Sequence, residues 1–247
     1  MIMKYRRIAV LTGAGVSAES GVPVFRSEDG LWEKHRIEDV ATYEGFERNP
    51  TLVHDFYNGM RQSLKNKQPN AAHLALTKLQ DVIADKGGLV SIITQNIDDL
   101  HERAQSHDVI HMHGELNSLL CEYCGTRFPF FDNSSTTSEC PHCHHQSMRP
   151  DIVWFGEIPY HMEQIEQILL KCDLFIAIGT SGVVYPAAGF VSICAAHKKP
   201  CLEFNLEPSA TNSRFTYSYL GKAGTTLPAF VEYLLAHDAL MDPSTLP

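Results

Sequence analysis

Four of the seven cysteines form two Cys-x-x-Cys pairs, and their spacing indicates a metal site. The pairs are Cys121 with Cys124 and Cys140 with Cys143, and fifteen residues separate them. Two such pairs supply the four thiolates of a closed, tetrahedral zinc site. Two disulfides or an iron site are the alternatives, and both fit a reducing compartment less well. We expect one structural Zn²⁺, which holds shape and performs no chemistry.

A glycine-rich turn follows the first apolar run of the chain. Residues 13–18 read Gly-x-Gly-x-x-Ala directly after the run 8–11, a pattern similar to a dinucleotide-binding fingerprint. By itself the pattern is weak, because an ordinary tight turn also uses glycine. Gly-Thr-Ser at 179–181 and Asn205 follow two other apolar runs, and open α/β sheets bind ligands beyond the carboxyl ends of their strands. These three strand ends together predict a nucleotide crevice.

Polar side chains mark the ends of two further apolar runs. Gln95, Asn96 and Asp98 follow one run, and His111 and His113 stand at the end of another. A single histidine or aspartate is more often structural, but amide, carboxylate and imidazole groups at adjacent strand ends can form a reactive site. Histidine is the side chain best suited to move protons near neutral pH. We therefore expect the chemistry at these two ends.

Short apolar runs alternate with helical patterns along most of the chain. The runs, each interpreted as a buried parallel strand, are 4–11, 89–94, 109–112, 152–155, 174–178 and 201–205. Asn70 is expected to cap a helix over 71–85. Further helical patterns cover 160–171, 186–198 and 227–237. The alternation predicts the α/β class, as a Rossmann-like open parallel sheet with helices on both faces.

Two stretches interrupt this alternation and are interpreted as inserts. Residues 27–69 are helical and polar, and residues 117–150 are rich in Cys, Ser, Thr and Pro. We predict that they form a small domain from a helical module and a four-cysteine zinc ribbon. The Rossmann-like nucleotide-binding domain is then discontinuous and consists of 1–26, 70–116 and 151–247.

The composition is that of an ordinary globular chain with an acidic surplus. The 247 residues are 44% hydrophobic and 20% charged, with a formal net charge of -9 and a pI near 5.8. Surfaces that bind nucleic acid are normally basic, so this charge argues against direct nucleic-acid binding. No apolar stretch approaches the ~20 residues of a membrane span, and none before Gly13 suits a signal peptide. We expect a monomeric cytoplasmic protein without a membrane partner.

The motifs together resemble the sirtuins, the NAD-dependent protein deacylases, from about residue 8 to the last helix. The motifs GAGVSAESGVPVFR, TQNIDDLH, HMHGEL, the two Cys-x-x-Cys pairs, RPDIVWFGE, GTSGVVYPAAG and FNLEP stand in the family's order and spacing. That order is far more specific than any one motif. The stretches DGLW, HRIEDVAT and NLEPS are similar to the bacterial class III branch, which includes desuccinylases.

The resemblance implies a mechanism with NAD⁺ as co-substrate. In this family the acyl oxygen of a modified lysine attacks C1′ of the nicotinamide ribose, nicotinamide leaves, and a histidine acts as base on a ribose hydroxyl. Water then resolves the intermediate to free lysine and 2′-O-acyl-ADP-ribose. By motif position His113 is this base and His111 is not, while Gln95 and Asn96 would hold the ribose and the water.

Cofactor contacts also transfer by resemblance. Asp98 and Ile97 would hold the carboxamide, and Phe25 and Arg26 would shield the nicotinamide side. The residues of the glycine-rich turn are expected to stay small so that NAD⁺ can lie against the backbone. The remaining expected NAD⁺ contacts are Gly13, Ala14, Gly15, Ser17, Trp32, Gly179, Thr180, Ser181, Asn205, Leu206, Glu207 and Ala223.

The substrate peptide in this family pairs as an extra strand with two segments, which correspond here to 153–157 and 182–184. Main-chain pairing gives affinity with little sequence preference, so we expect many acyl-lysine protein substrates. The expected peptide contacts are Val153, Phe155, Gly156, Glu157 and Val183.

The acyl pocket departs from the class III pattern. Members that remove succinyl groups carry Tyr-x-x-Arg, whose phenol and guanidinium bind the acyl carboxylate. Here Tyr57 is followed by Met60 at the arginine position, and Arg61 stands one residue later. Arg61 either reaches the pocket or faces solvent while Met60 lines an apolar wall, and we favour the second. Because Ala41 leaves the pocket roomy, we expect removal of acetyl and longer neutral groups and weak removal of dicarboxylic ones.

Three functions of other classes remain open. An NAD⁺-dependent ADP-ribosyltransferase could use the same nucleotide site and would yield a modified protein. A hydride-transfer dehydrogenase would account for the glycine-rich turn and not for the four cysteines. A non-catalytic zinc module would bind protein or, against the acidic charge, nucleic acid.

Overall fold

The structure is a computed structural model that describes residues 3–24, 31–32 and 35–246. Leu31 and Trp32 are described by their backbone alone. The predicted cofactor contacts Phe25 and Arg26 lie outside the described residues, and so does the side chain of Trp32.

The described part of the chain alternates between strands and helices. In chain order the strands are β1 (Arg7–Thr12), β2 (Leu31–Trp32), β3 (His35–Arg36), β4 (Leu89–Thr94), β5 (Val109–His111), β6 (Gly114–Cys121), β7 (Arg127–Pro129), β8 (Met148–Ile152), β9 (Leu174–Ile178), β10 (Cys201–Asn205) and β11 (Tyr217–Leu220). The helices are α1 (Ala14–Ser17), α2 (Ile37–Val40), α3 (Tyr43–Arg48), α4 (Pro50–Leu64), α5 (Ala71–Asp85), α6 (Leu100–Arg103), α7 (Met162–Lys171), α8 (Phe190–Ala196) and α9 (Ala223–His237). Among the described helices, none combines the length and apolar character needed to cross a bilayer.

A parallel sheet forms the centre of the fold. Its six described strands lie in the order β11-β10-β9-β1-β4-β5, and every neighbouring pair is parallel. The chain runs outward from β1 through β4 to β5 and then returns to β9 on the other side of β1. The direction of winding therefore reverses between β1 and β9, which is where such sheets bind ligands.

Helices cover both faces of this sheet. Along β1, Ile8 and Val10 belong to the core shared with α5 and α9, whereas Ala9 and Leu11 belong to the core shared with α7 and α8. The period-2 alternation of a strand sends successive apolar residues to opposite faces, so a run that is apolar throughout is buried on both. The predicted doubly covered α/β fold is confirmed.

A second, antiparallel sheet carries the cysteines. β6 pairs with β7 on one side and with β8 on the other. A further apolar cluster joins α4 to β6 and β8 through residues such as Phe56, Leu116 and Ile152. These elements lie over the carboxyl end of the parallel sheet, where β5 leads directly into β6. The division into domains at the stated boundaries stays a prediction.

Two strand predictions were wrong. Residues 152–155 were expected in the parallel sheet, but β8 ends at Ile152 and is antiparallel to β6. A short apolar run signals a buried strand and does not indicate which sheet it joins. β11 was missed because its side chains are mostly exposed at the sheet edge, with Tyr219 alone fully buried. The helix capped by Asn70 spans Ala71–Asp85 as predicted.

Candidate active site

The glycine-rich turn packs directly on the end of β9. The backbone N–H of Gly13 donates to the carbonyl of Ile178 at 2.9 Å, and that of Gly15 donates to the carbonyl of Gly179 at 2.9 Å. A Cβ atom on Gly13 would lie 2.7 Å from the Gly179 oxygen, and one on Gly15 would lie 2.6 Å from the Gly179 Cα. These glycines must therefore be small because two backbone turns touch, and the expected second reason, room for NAD⁺, stays a prediction. Ala14, between them, faces the cavity described next.

A cavity of about 550 Å³ opens beside this turn. Its size is that of a pocket for a small ligand, and it lies where the sheet reverses its winding. Most of the residues predicted from sequence line it. They are Gly13, Ala14, Ala41, Tyr57, Met60, Gln95, Asn96, Ile97, Asp98, His113, Val153, Phe155, Gly156, Glu157, Gly179, Thr180 and Ser181.

Several predicted contacts lie around the cavity and not in its wall. They are Gly15, Ser17, Arg61, Val183, Asn205, Leu206, Glu207 and Ala223. Asn205 is held beside the cavity because its side-chain amide donates to the carbonyl of Thr180 at 3.1 Å. Leu206 is 70% exposed at the end of β10. Of the predicted adenine-side contacts, Gly179, Thr180 and Ser181 thus line the cavity and Asn205 lies beside it.

The two histidines of the HMHGEL motif have different surroundings. His113 lines the cavity, and its Nδ1 is 3.1 Å from the carbonyl oxygen of Gln95. A carbonyl accepts a hydrogen bond, so Nδ1 carries the proton and Nε2 keeps a lone pair. Burial lowers the pKa of His113, which outweighs the opposing effect of the Gln95 hydrogen bond. His113 is therefore neutral at pH 7 and suited to accept a proton. His111 is buried behind the cavity wall, against Glu102.

A buried polar network holds the segment that begins at Gln95. The Ser17 hydroxyl donates to Asp98 Oδ2 at 2.9 Å and accepts from the side-chain amide of Asn96 at 3.2 Å. The backbone N–H of Leu100 donates to Asp98 Oδ1 at 3.1 Å. Burial raises the pKa of Asp98, and these donors oppose that rise. Ser17 therefore acts from behind by fixing Asn96 and Asp98, which is why it does not line the cavity.

A hydrogen-bonded aromatic pair lines the cavity. The indole N–H of Trp154 donates to the phenol oxygen of Tyr57 at 3.0 Å. Both side chains are buried, and burial raises the pKa of the Tyr57 phenol. Met60 and Ala41 line the same part of the cavity, which gives it an apolar wall.

Both placements expected for Arg61 were wrong, because it neither lines the cavity nor faces solvent. Its side chain is only 1% exposed. The guanidinium donates to the carbonyl of Leu116 at 2.9 Å, to Asn58 Oδ1 at 2.8 Å and to the carbonyl of Asp132 at 3.0 Å. Burial lowers its pKa to about 10, so it stays charged at neutral pH. Arg61 ties α4 to β6 and to the cysteine-bearing segment.

Some cavity residues were missed by sequence reasoning. They are Val22, Pro23, Val24, His35, Asp55, Phe56, Gly59, Ser63, Leu64, Lys67, Leu116, Ile152, Pro159 and Tyr185. Trp154 and Val184, also in the wall, belong to the segments predicted to bind the peptide. Phe56 is next to Tyr57 in the sequence, and this is the signal that could have drawn attention to it. Leu116 and Ile152 carry no such signal, since they resemble any other core residue of a strand.

The four cysteines converge as their spacing predicted. Their sulfur atoms all lie within 4.8 Å of one another. Cys121 and Cys143 have sulfurs 3.6 Å apart, and Cys124 and Cys140 have sulfurs 3.7 Å apart. These separations exclude disulfides and match the edges of a tetrahedron with Zn–S bonds of about 2.3 Å. The donor set therefore fits one structural Zn²⁺.

The zinc knuckles also explain two backbone conformations. Gly125 and His144 each directly follow the second cysteine of a pair and have a positive φ, of 72° and 62°. Their N–H groups donate back to the carbonyls of Cys121 and Cys140, at 2.8 and 2.9 Å. Each turn thereby brings its two thiols to the same point.

Comparison with known proteins extends these observations. Residues 13–186 match the model of the Sir2 family, a span that includes the glycine-rich turn, both histidines and all four cysteines. This chain belongs to the Sir2 family. A protein of Vibrio vulnificus named NAD-dependent protein deacylase is 53% identical over 240 residues, which cover 96% of this chain and 97% of that protein.

Solved Sir2 structures have the same fold. A Sir2 homologue mutant in complex with 2′-O-acetyl ADP ribose superposes with a TM-score of 0.85 at 35% identity, covering 97% of this chain and 96% of that chain. A Sir2–p53 peptide–NAD⁺ complex gives a TM-score of 0.76 at 29% identity, with coverage of 94% and 93%. The fold, together with the Sir2 membership, agrees with the resemblance drawn from the motifs.

Proposed function

We propose that this chain is an NAD-dependent protein-lysine deacylase that produces nicotinamide, free lysine and 2′-O-acyl-ADP-ribose. The observation that carries the proposal is His113, a neutral imidazole whose free Nε2 belongs to the wall of a cavity at the winding reversal of the sheet. The deacylase name of a relative at 53% identity supports it, as do the ligands of the solved Sir2 complexes.

His113 acts as the general base. Its Nδ1–H is fixed by the carbonyl of Gln95, which prevents the ring from turning its protonated nitrogen towards the cavity. Because burial lowers its pKa, the ring is unprotonated at neutral pH and removes a proton from a ribose hydroxyl through Nε2. Bound NAD⁺ supplies the ribose carbon that accepts the acyl oxygen.

The segment from Gln95 to Asp98 binds the nicotinamide ribose half. Asn96 and Gln95 orient the ribose and the water, and the Asp98 carboxylate with the backbone of Ile97 holds the carboxamide. Ser17 supports this binding because its hydroxyl already bonds both Asp98 and Asn96. The turn at 13–15 and residues 179–181 hold the phosphates and the adenine side, bordered by 205–207 and Ala223.

The acyl-lysine peptide enters as a strand between 153–157 and 182–184. Val153 already donates its N–H to the carbonyl of His113, and Phe155 donates to the carbonyl of Ala41, so this segment is held extended. The carboxylate of Glu157 accepts from the backbone N–H of Trp154 and from Arg149, both at 2.8 Å, and fixes the turn that follows. Pairing through the main chain favours many protein substrates.

The acyl preference is for neutral groups. The wall of the acyl end contains Tyr57, Met60 and Ala41, and Arg61 is engaged elsewhere by three hydrogen bonds. Of the described residues, these three side chains offer a succinyl carboxylate no cationic partner, which is costly for a buried charge. We expect the order acetyl and butyryl before succinyl.

Met60→Arg tests that preference. A guanidinium at this position of the cavity wall should raise kcat/KM for a succinyl peptide by about ten-fold or more, since a charge-assisted hydrogen bond contributes on the order of 1.5–3 kcal/mol. Met60→Leu is the matched control and should leave the ranking of acyl groups unchanged. An unchanged succinyl rate in Met60→Arg would refute the carboxylate argument.

Mass spectrometry of one lysine peptide in acetyl, butyryl and succinyl forms tests the function itself. Wild type should remove the acyl mass with NAD⁺ present and not without it, and His113→Ala should remove none. His237→Ala, at an exposed site on α9, should act as wild type. ADP-ribosyl transfer is the second candidate; consumption of NAD⁺ with intact acyl peptides and a modified protein would favour it.

Three further expectations rest on the sequence. The small domain is proposed to consist of 27–69 and 117–150. A cytoplasmic location is supported by the absence of disulfides among the seven cysteines, which suits a reducing compartment. A monomeric state without nucleic-acid binding is to be tested by light scattering after size-exclusion chromatography, alone and with DNA.

A further inference from the structure

His111, the histidine that is not the base, stands between two hydrogen-bond acceptors. Its Nε2 is 2.8 Å from the Glu102 carboxylate, and its Nδ1 is 3.3 Å from the backbone carbonyl of Asn96. The ring is 9% exposed, so water offers little alternative to these partners. One ring therefore connects α6 to the segment that carries the cofactor-binding groups.

The geometry specifies a charge state for this ring. A carbonyl oxygen and an ionised carboxylate only accept hydrogen bonds, and a neutral imidazole has a single N–H. Both hydrogen bonds can form together only if both ring nitrogens are protonated. The two partners therefore favour the imidazolium form of His111, whereas His113, two residues later, meets one acceptor.

The charged groups around His111 favour the same state. Glu102 on α6 and Glu115 on β6 act on it as anions, while Asp98 and His101 are the other titratable groups that interact with it. Burial lowers the pKa of His111, but the hydrogen bond and charge of Glu102 and the charge of Glu115 outweigh burial and raise it above its ordinary value.

The two histidines hold consecutive carbonyls of one segment. His113 bonds the carbonyl of Gln95, and His111 bonds the carbonyl of Asn96. The positive charge of His111 also acts to lower the pKa of Asp98, which opposes the effect of burial. Loss of the His111 charge would weaken the hydrogen bond to the Asn96 carbonyl and would also raise the pKa of Asp98.

We propose that His111 is a positioning residue whose imidazolium, held by the Glu102 carboxylate, fixes the Gln95–Asp98 segment in the conformation that binds NAD⁺. This inference rests on the proposed function. It predicts a dependence on pH that differs from that of the base. His113 stops acting as a base when it is protonated as pH falls. His111 loses its charge, and with it the hydrogen bond to one partner, as pH rises through its raised pKa.

Glu102→Gln is the primary test, because the change is isosteric and the side chain is 43% exposed. The amide still accepts a hydrogen bond but no longer stabilises the imidazolium. We expect the calorimetric Kd of NAD⁺ to rise about ten-fold at pH 7.5. The alkaline limb of NAD⁺ binding should move to lower pH, while the acid limb of kcat stays in place. Glu115→Gln, an exposed neighbour without a hydrogen bond to the ring, should change the Kd by less than about two-fold.

His111→Asn is the second variant. The asparagine amide can still donate towards the Asn96 carbonyl but has no titratable charge, so NAD⁺ binding should weaken and lose its alkaline limb. NMR of labelled histidine should place the titration of wild-type His111 above the ordinary value of about 6.5. Glu102→Gln should lower the pKa of His111 that this experiment measures.

Two results would overturn the inference: a His111 that titrates below the ordinary value in wild type, or an unchanged NAD⁺ Kd and alkaline limb in both variants. The NMR titration and the calorimetric Kd of NAD⁺ can both be measured without any deacylation. A wild type that binds NAD⁺ as described and removes no acyl group would therefore contradict the proposed function and leave this inference standing.

Discussion

The buried Arg61 yields a prediction that separates a structural from a substrate-binding role. Arg61→Met keeps much of the side-chain volume and removes the three hydrogen bonds to Leu116, Asn58 and Asp132. At about 1–1.5 kcal/mol each they amount to roughly 4 kcal/mol, and relief of the cost of burying a charge, visible in the lowered pKa of about 10, offsets part of it. We expect a net loss of about 3 kcal/mol.

For a chain of this length about 1 kcal/mol corresponds to about 2–4 °C, so the melting temperature should fall by roughly 6–12 °C. Calorimetry of the zinc-loaded protein measures the change. Arg48→Met is the matched control, since Arg48 pairs with Asp39 at 2.6 Å on the surface, is 56% exposed and should cost under about 1 kcal/mol. If the two variants melt alike, or if Arg61→Met lowers the ratio of succinyl to acetyl turnover, the structural role assigned to Arg61 is wrong.

Three further predictions concern the turn, the metal and the base. In a denaturant titration, Gly15→Ala should lower the free energy of unfolding by at least about 2 kcal/mol, because its Cβ would lie 2.6 Å from the backbone of Gly179. Gly59→Ala on α4 is the control and should be neutral or stabilising, because its Cβ would meet no atom within 4 Å. Removal of Zn²⁺ by a strong chelator should lower the melting temperature, and zinc should restore it; an unchanged transition would contradict a structural metal. The acid limb of kcat/KM, which reports groups of the free protein, should lie below the ordinary histidine pKa of about 6.5, because burial lowers the pKa of His113. A limb above that value would contradict the assignment.

Spacing and strand ends were sufficient to predict much of the site. Cys121, Cys124, Cys140 and Cys143 converge because paired knuckles leave few ways to arrange four thiolates. Residues at the carboxyl ends of parallel strands meet at one edge of the sheet, so Gly13, Gln95 and Thr180 share one cavity. The choice of His113 over His111 came from family resemblance and stays a prediction, which the different partners of the two rings support.

What the sequence left open depends on which surfaces meet. Arg61 is one turn of α4 from Tyr57, and helical spacing alone placed it near the acyl pocket or in solvent. It is buried because β6 and the segment at Asp132 cover that side of the helix, a contact distant in sequence. The contact of the first turn with Gly179 was not predicted for the same reason, since Gly179 lies more than 160 residues away. Local patterns do not specify such long-range partners.

The most direct test of the central claim is the product balance of one reaction. Wild-type protein, NAD⁺ and an acetyl-lysine peptide are followed by liquid chromatography and mass spectrometry. Nicotinamide, deacetylated peptide and 2′-O-acetyl-ADP-ribose should form in equal amounts, and none should form with His113→Ala. Free acetate without the acetylated ADP-ribose, or ADP-ribose attached to protein while the peptide keeps its acetyl group, would contradict the claim.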